Sequence, residues 1–243
     1  MKFSVFQLSR KGGRKQNEDR VGYRYTRDSA MLMLADGMGG HLAGEVAAQL
    51  ALRSVSLLHQ AAATPRLADV AAFLGDALLH AHGQIVQYAI DEGLSETPRT
   101  TVVVAVLQDG AAWWAHCGDS RLYLVRDGEL VTRTCDHSFA ERPGDTGAAA
   151  GSNRNVLFTC LGSPSRPQFD LEGPVALQSG DRILLCSDGL WDSLGQSDIV
   201  AQLSAKPVEQ AVPDLVQSAL QRAGPYSDNV SAIALEWESA ETA

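Results

Sequence analysis

Five aspartates stand where strand-like apolar runs meet turn-forming residues. Asp19 closes Asn17-Glu18-Asp19 just before the run Arg20–Thr26, and Asp36 follows Met31–Leu34 in Ala35-Asp36-Gly37-Met38-Gly39-Gly40-His41. Asp119 follows Trp113–Cys117 in Gly118-Asp119-Ser120-Arg121. Asp188 follows Ile183–Cys186 in Ser187-Asp188-Gly189-Leu190-Trp191-Asp192, and Asp228 opens Asp228-Asn229 before the last strand-like run. An Asp beside Gly at a strand end is also an ordinary turn former. Five in one chain, at the rims of strands, point further, because gathered carboxylates repel one another unless a cation holds them. A ligand set made of oxygen alone suits Mg²⁺ or Mn²⁺, which retain part of their water.

The cysteines offer a rival chemistry. Cys160 and Arg166 fit C-x₅-R, the thiolate loop in which cysteine attacks phosphorus and arginine grips phosphate. Thr159 replaces the histidine that usually precedes such a cysteine, and the glycine falls one position early. Cys117, Cys135, Cys160 and Cys186 are widely spaced with no C-x-x-C pair, which argues against a zinc clip or a disulfide framework. A reducing, cytoplasmic compartment is expected, with Cys186 an inert core residue.

Charge is unevenly spread over the 243 residues, with 29 acidic against 20 basic residues and a formal net charge of −9. Met1–Arg27 nevertheless carries Lys2, Arg10, Lys11, Arg14, Lys15, Arg20, Arg24 and Arg27 against Glu18 and Asp19. This basic segment beside an acidic body fits an anion site next to a cationic one, or a solvated basic edge strand. The acidic balance argues against nucleic-acid binding by charge. With 45% hydrophobic residues the chain can bury a substantial core. No run approaches the roughly 20 apolar residues of a membrane span, and no signal-peptide core precedes residue 15.

These chemical residues need elements to place them. Lys2–Ser9, Arg20–Thr26, Ala30–Ala35, Thr101–Gln108, Ala111–Cys117, Arg121–Arg126, Arg182–Ser187 and Val230–Trp237 read as strands. Asp109-Gly110 and Asp127-Gly128 are hairpin turns, and together they predict an antiparallel meander of about four strands across Thr101–Arg133. Gly44–Gln60 reads as a helix with Val46, Leu50 and Leu57 on one face. Arg66–Ile90 reads as a second, with Leu67, Val70, Leu74, Ala77, Ala81, Ile85 and Tyr88 in helical register. A third covers Pro207–Arg222, with Pro213 expected to kink or divide it. Arg142–Arg154, rich in Gly, Ala and small polar residues, reads as a surface loop bordering a site. Paired helices between antiparallel strands predict an α+β fold with two packed sheets and helices outside.

In order and spacing the motifs resemble the metal-dependent protein phosphatases of type 2C in their compact bacterial form. The carriers are Gly12-x-Arg14-x-x-Asn17-Glu18-Asp19, Asp36-Gly-Met-Gly-Gly-His41-x-x-Gly44-Glu45, Gly118-Asp-Ser-Arg121, Asp188-Gly-x-x-Asp192 and Asp228-Asn229. The resemblance runs from about Gly12 to Ser231. It implies a four-layer α-β-β-α sandwich with a dinuclear metal site at the sheet rim, a single catalytic domain over residues 1–243, and a flap-like loop at about 138–160. It implies that Asp19, Asp36, Asp188, Asp228 and the Gly37 carbonyl hold two Mn²⁺ or Mg²⁺ ions. Their charge would lower the pKa of a shared water, which attacks phosphoserine or phosphothreonine in line with no covalent phosphoenzyme. Arg14 would grip the substrate phosphate. Asp119 would help Asp188 hold a third, weaker ion, or would be a turn residue bonded to Arg121.

Glu18 would accept hydrogen bonds from metal-bound water, and Asp192 and Asn229 would orient ligands. His41 is a candidate proton donor to the leaving oxygen, although Met38 stands where animal members have histidine, and a histidine that only packs or caps is the alternative. His137, in Asp136-His137-Ser138, reads as structural. Expected partners are phosphorylated proteins, with a cognate serine/threonine kinase, for a cytoplasmic monomer without membrane anchor. Two departures stand out: Arg99-Thr100-Thr101 replaces the usual Gly-Thr-Thr, and Asp136–Leu161 is shortened. A non-enzymatic pseudophosphatase would be expected to have lost a metal aspartate or the phosphate arginine, and this chain keeps them all.

Overall fold

The computed structural model describes residues 1–38, 43–139 and 156–238. In chain order its strands and helices are β1 (Lys2–Arg10), β2 (Arg20–Tyr25), β3 (Ser29–Ala35), α1 (Gly44–Ala62), α2 (Val70–Asp91), β4 (Val102–Gln108), β5 (Ala111–Cys117), β6 (Arg121–Arg126), β7 (Glu129–Arg133), β8 (Asp170–Ala176), β9 (Arg182–Cys186), α3 (Asp188–Trp191), α4 (Gln196–Ala205), α5 (Val208–Ala223) and β10 (Val230–Glu238). Two five-stranded sheets result, ordered β1-β10-β9-β6-β7 and β2-β3-β4-β5-β8, with every strand pair antiparallel.

Alternation along the strands builds the layers. In β3, Leu32 and Leu34 enter a core shared with Leu122, Leu124, Leu185 and Ile233 of the other sheet, while Met31 and Met33 join the core under α1 and α2. Such a strand is buried on both faces, so its sequence is continuously apolar. On the other side, α4 and α5 cover the first sheet through Leu203, Val212, Leu215 and Val216. The four-layer α-β-β-α sandwich predicted from the motifs is the observed architecture. Among the described residues no helix is long and apolar enough to cross a membrane.

Several local expectations give way to tertiary packing. The predicted four-strand meander is two hairpins in different sheets: β4–β5 belongs to one, β6–β7 to the other. The chain crosses between sheets at Gly118-Asp119-Ser120, where Gly118 has φ +109°. A hairpin signal specifies the pair it joins and says nothing about which sheet the next strand enters. In α1 the buried face is Ala47, Ala48, Ala51, Leu52 and Val55, while Leu57 is 54% exposed. Small side chains let this helix sit close on its sheet, so the large aliphatic residues misled the face assignment.

Helix α2 starts at Val70 because Asp69 caps it, its carboxylate accepting the Ala72 N–H at 2.9 Å. Helix α5 runs through Pro213 undivided. Its apolar face packs on β1 and β10, which offsets the one helical hydrogen bond that proline removes. Strand β8 and helix α4 were not anticipated. Strand β8 is an edge strand with mostly exposed residues and Gly173-Pro174 inside it, so it lacks an alternating signal.

Candidate active site at the sandwich rim

The five aspartates meet at one end of the two sheets. Asp19 lies between β1 and β2, Asp36 directly after β3, Asp119 at the crossing from β5 to β6, Asp188 at the start of α3 after β9, and Asp228 just before β10. A cavity of about 460 Å³ opens there, lined by Arg14, Lys15, Glu18, Asp36, Gly37, Met38, Thr101, Asp119, Leu157, Asp188, Asp228 and Asn229. Asp19, only 2% exposed, sits behind this lining.

Side chains and backbone groups, several from distant parts of the chain, fix the segments that carry these aspartates. Ser187 Oγ donates to Asp19 Oδ2 at 2.8 Å and accepts the Ser231 N–H at 3.0 Å, which ties Asp19 to β9 and β10. The Asp36 N–H donates to Thr101 Oγ1 at 3.1 Å, and Thr100 Oγ1 donates to the Asp36 carbonyl at 2.8 Å. Gly37 is pinned in a bridge to Thr100. Trp191 Nε1 donates to the Asp119 carbonyl at 2.9 Å, and the Asn229 N–H donates to Asp228 Oδ1 at 2.7 Å. Gly12, at φ +61°, must lack a side chain, since a Cβ would fall 2.1 Å from the Asp228 carbonyl oxygen.

The electrostatics are those of crowded acids. Burial, then the charges of neighbouring aspartates, raises Asp188 to about 8 and Asp36 well above the usual carboxylate range. Burial likewise raises Asp19 and Asp119 to about 6. Glu18 is raised too, by burial first and then by Glu45. Two carboxylate oxygens, Asp19 Oδ1 and Glu18 Oε2, are buried with no hydrogen-bond partner among the described residues. Unpartnered oxygens and mutually repelling acids in an all-oxygen pocket fit a pair of hard divalent ions. Arg14 faces them at the cavity's edge, its Nη2 2.5 Å from Asp228 Oδ2. The Asp228 charge holds the guanidinium above its usual range.

Most residues singled out in the sequence meet here. Asn229 acts through three bonds: its Oδ1 accepts the Glu18 N–H at 2.8 Å, and its Nδ2 donates to the carbonyls of Lys11 at 2.8 Å and Gln16 at 2.9 Å. Asp192 is exposed and near enough to raise Asp119, without a hydrogen bond to the other aspartates. His41 lies outside the described residues, as do most of the loop Arg142–Arg154 and residues 140–155 of the expected flap. The rival thiolate loop does not form. Cys160 is 6% exposed with its thiol pushed up by burial, it sits beside the bridge of Thr100 to Leu161, and Arg166 is exposed. Arg121, which the turn alternative paired with Asp119, lowers the Asp119 pKa electrostatically against the larger rise from burial. Arg121 forms a two-point bridge to Asp136, at 2.8 and 2.7 Å, and stacks 3.6 Å over Trp191.

Sequence reasoning missed Ser187, Thr101, Ser120 and Trp191. Each adjoins a motif aspartate or, like Thr101, borders one in space, but a hydroxyl or indole carries no signal until its partner is known.

An α-β-β-α sandwich with an oxygen-only carboxylate centre and an arginine at its rim defines the class of metal-dependent phosphatases. A family model described as Protein phosphatase 2C matches residues 9–224, and the chain belongs to that family. It is 35% identical over 227 residues to the serine/threonine protein phosphatase PstP of Mycobacterium tuberculosis, an alignment covering 90% of this chain and 42% of that protein's length. It is 30% identical over 236 residues to the protein phosphatase PhpP of Streptococcus pneumoniae, covering 94% of this chain and 95% of that protein. A crystal structure of the PstP catalytic domain in complex with two manganese ions superposes with a TM-score of 0.79 at 30% identity, covering 98% of this chain and 99% of that one.

Proposed function

We propose that the protein is a Mg²⁺- or Mn²⁺-dependent protein phosphatase that hydrolyses phosphoserine and phosphothreonine, acting as one catalytic domain. The observation that carries this reading is the convergence of Asp19, Asp36, Asp119, Asp188 and Asp228 on one cavity with Arg14 at its edge. Asp19, Asp36, Asp188, Asp228 and the Gly37 carbonyl would hold two ions, with Asp119 and Asp188 contributing to a weaker third. Bound there, the ions supply a nucleophilic water at neutral pH and charge for the phosphoryl oxygens.

The chain's own residues do the rest. Arg14, beside Asp228 at the lip, would place its planar guanidinium against two phosphate oxygens. Lys15 adds positive charge at the same lip. Glu18, with one buried oxygen free, accepts hydrogen bonds from water at the centre. His41 is the proposed donor to the leaving oxygen. The substrates would be phosphoproteins of the cytoplasm, the opponent a serine/threonine kinase, and the enzyme a monomer.

The test separates the two phosphatase chemistries. Removal of divalent ions by a chelator should abolish hydrolysis of a phosphoserine peptide and Mn²⁺ should restore it, while Cys160→Ser should leave turnover nearly intact. Activity that survives chelation and disappears in Cys160→Ser would overturn the reading. A folded protein with no Mn²⁺-dependent turnover would favour the pseudophosphatase alternative.

A further inference from the structure

Beside the carboxylate centre lies a separate trio: His116 in β5, His137 just after β7, and Asp170 at the start of β8. Their ligand atoms fall within 4.8 Å of one another, which suggests a second cation site. The geometry opposes that assignment. The two imidazoles are stacked, with centroids 4.4 Å apart and 18° between their planes. A ring nitrogen binds an ion in the plane of its own ring, and two stacked rings share no such point. The hydrogen bonds oppose it as well. The Gly118 N–H donates to His137 Nδ1 at 3.2 Å, so the proton of the neutral ring sits on Nε2, the nitrogen 3.3 Å from Asp170 Oδ2. That nitrogen is a donor and has no lone pair for a metal.

We propose that Asp170, His137 and Gly118 form a hydrogen-bond relay that positions Asp119, with His137 as the positioning residue. The inference rests on the reading of Asp119 as a ligand of the weaker third ion. His137 holds Gly118 from both sides. Its backbone N–H donates to the Gly118 carbonyl at 3.0 Å, and its ring accepts the Gly118 N–H. Gly118 adopts φ +109°, and a Cβ there would meet the Thr101 side chain at 2.7 Å, so the turn has little room to take another path.

On the far side of the turn, Trp191 holds the Asp119 carbonyl and Ser120 Oγ meets Thr101 Oγ1 at 2.7 Å. The relay acts on the His137 side. Imidazole can accept from Gly118 in one tautomer only, because the other sets N–H against N–H. An ionised carboxylate accepts and cannot donate, so Asp170 selects the working tautomer. The stacked His116 supports the ring from its face, and its Nε2 donates to the Cys135 carbonyl at 2.7 Å, two residues before His137. The side chain of His137 is 7% exposed and that of Asp170 59%, so the relay runs from a solvent-facing carboxylate to the turn that carries Asp119.

The experiment uses the full chain, stripped of metal and titrated with Mn²⁺, in the wild type, Asp170→Ala, Asp170→Asn, Asp119→Asn and the Asp170→Ala/Asp119→Asn double variant. Free Mn²⁺ is followed by electron paramagnetic resonance, and the His137 tautomer by ¹⁵N NMR. Asp170→Ala should weaken the weakest of three bound ions by at least about tenfold and leave the two tight ions unchanged. Asp170→Asn, whose amide oxygen still accepts, should restore most of that affinity. The double variant should lose no more than Asp119→Asn alone, and the His137 Nε2–H tautomer should lose dominance in Asp170→Ala. The proposal is overturned by an unchanged isotherm in Asp170→Ala, by additive losses, or by a wild type that binds no third Mn²⁺. Hydrolysis of a phosphoserine peptide, assayed in parallel, tests the proposed activity independently: its absence with the ion-binding pattern intact would sink the function and leave the relay standing.

Discussion

Asp188 and Arg14 serve different parts of the proposed reaction, and their variants should fail differently. Burial and neighbouring acids raise Asp188 to about 8, so its ionised form is costly in the metal-free fold. Asp188→Asn removes a proposed ligand from a shared centre and should bring turnover close to background. The same change removes a charge that the metal-free protein cannot comfortably bury. Metal-free Asp188→Asn should therefore melt above metal-free wild type at pH 8, by about 2–4 °C for each kcal/mol relieved. Arg14→Ala deletes a charged hydrogen-bond donor, a loss of about 1.5–3 kcal/mol, and should raise KM by about tenfold or more with a smaller change in kcat. Steady-state kinetics and thermal melts of both variants check this, and full turnover in Asp188→Asn would contradict its role as a ligand.

Among the elements, the segment between β1 and β2 is shaped less by its own sequence than by Asn229 at the mouth of β10. One amide side chain accepts from Glu18 and donates to Lys11 and Gln16, so it folds the Arg14-bearing loop over the cavity. Asn229→Ala leaves two carbonyls and one N–H without this partner and should cost about 1–3 kcal/mol in urea unfolding. Activity should fall further than that stability loss explains, since Glu18 and Asp19 hang from the same loop. Normal kcat/KM in a destabilised Asn229→Ala would show that the loop holds its shape unaided. The differences between expected and observed elements have a common cause. Pro213 lies within an intact helix, Leu57 faces solvent, and the expected meander divides between sheets, in each case because packing against a distant element outweighs a preference read over a few residues.

For the molecule as a whole, the buried acids set a pH dependence whose sign can be worked out. Asp19, Asp36, Asp119 and Asp188 are all raised in the fold, so the folded state binds more protons than the unfolded chain above about pH 4. Their contribution is fully present below the ordinary carboxylate value and is lost as pH rises through about 6 and then about 8. His59 and His116, pulled down to about 4 by burial, act oppositely and weaken the fold as pH falls below their ordinary 6.5. Divalent ions bound by the ionised carboxylates would cancel the first trend only. The Tm gained on adding Mn²⁺ to chelator-treated protein should therefore grow steadily from pH 5.5 to pH 8.5, and a gain independent of pH would count against the centre. The sequence by itself determined which groups could do this chemistry, because aspartates beside glycines at the ends of apolar strands are a local pattern that antiparallel layers carry to a rim. Only the tertiary structure decided how those groups are held. Ser187 meets Asp19 across 168 positions and Arg14 meets Asp228 across 214, and the crossing at Gly118 sends Asp119 between the sheets. Contacts of that reach, and the burial that shifts the acids, exist only once distant strands have paired and the two sheets have packed.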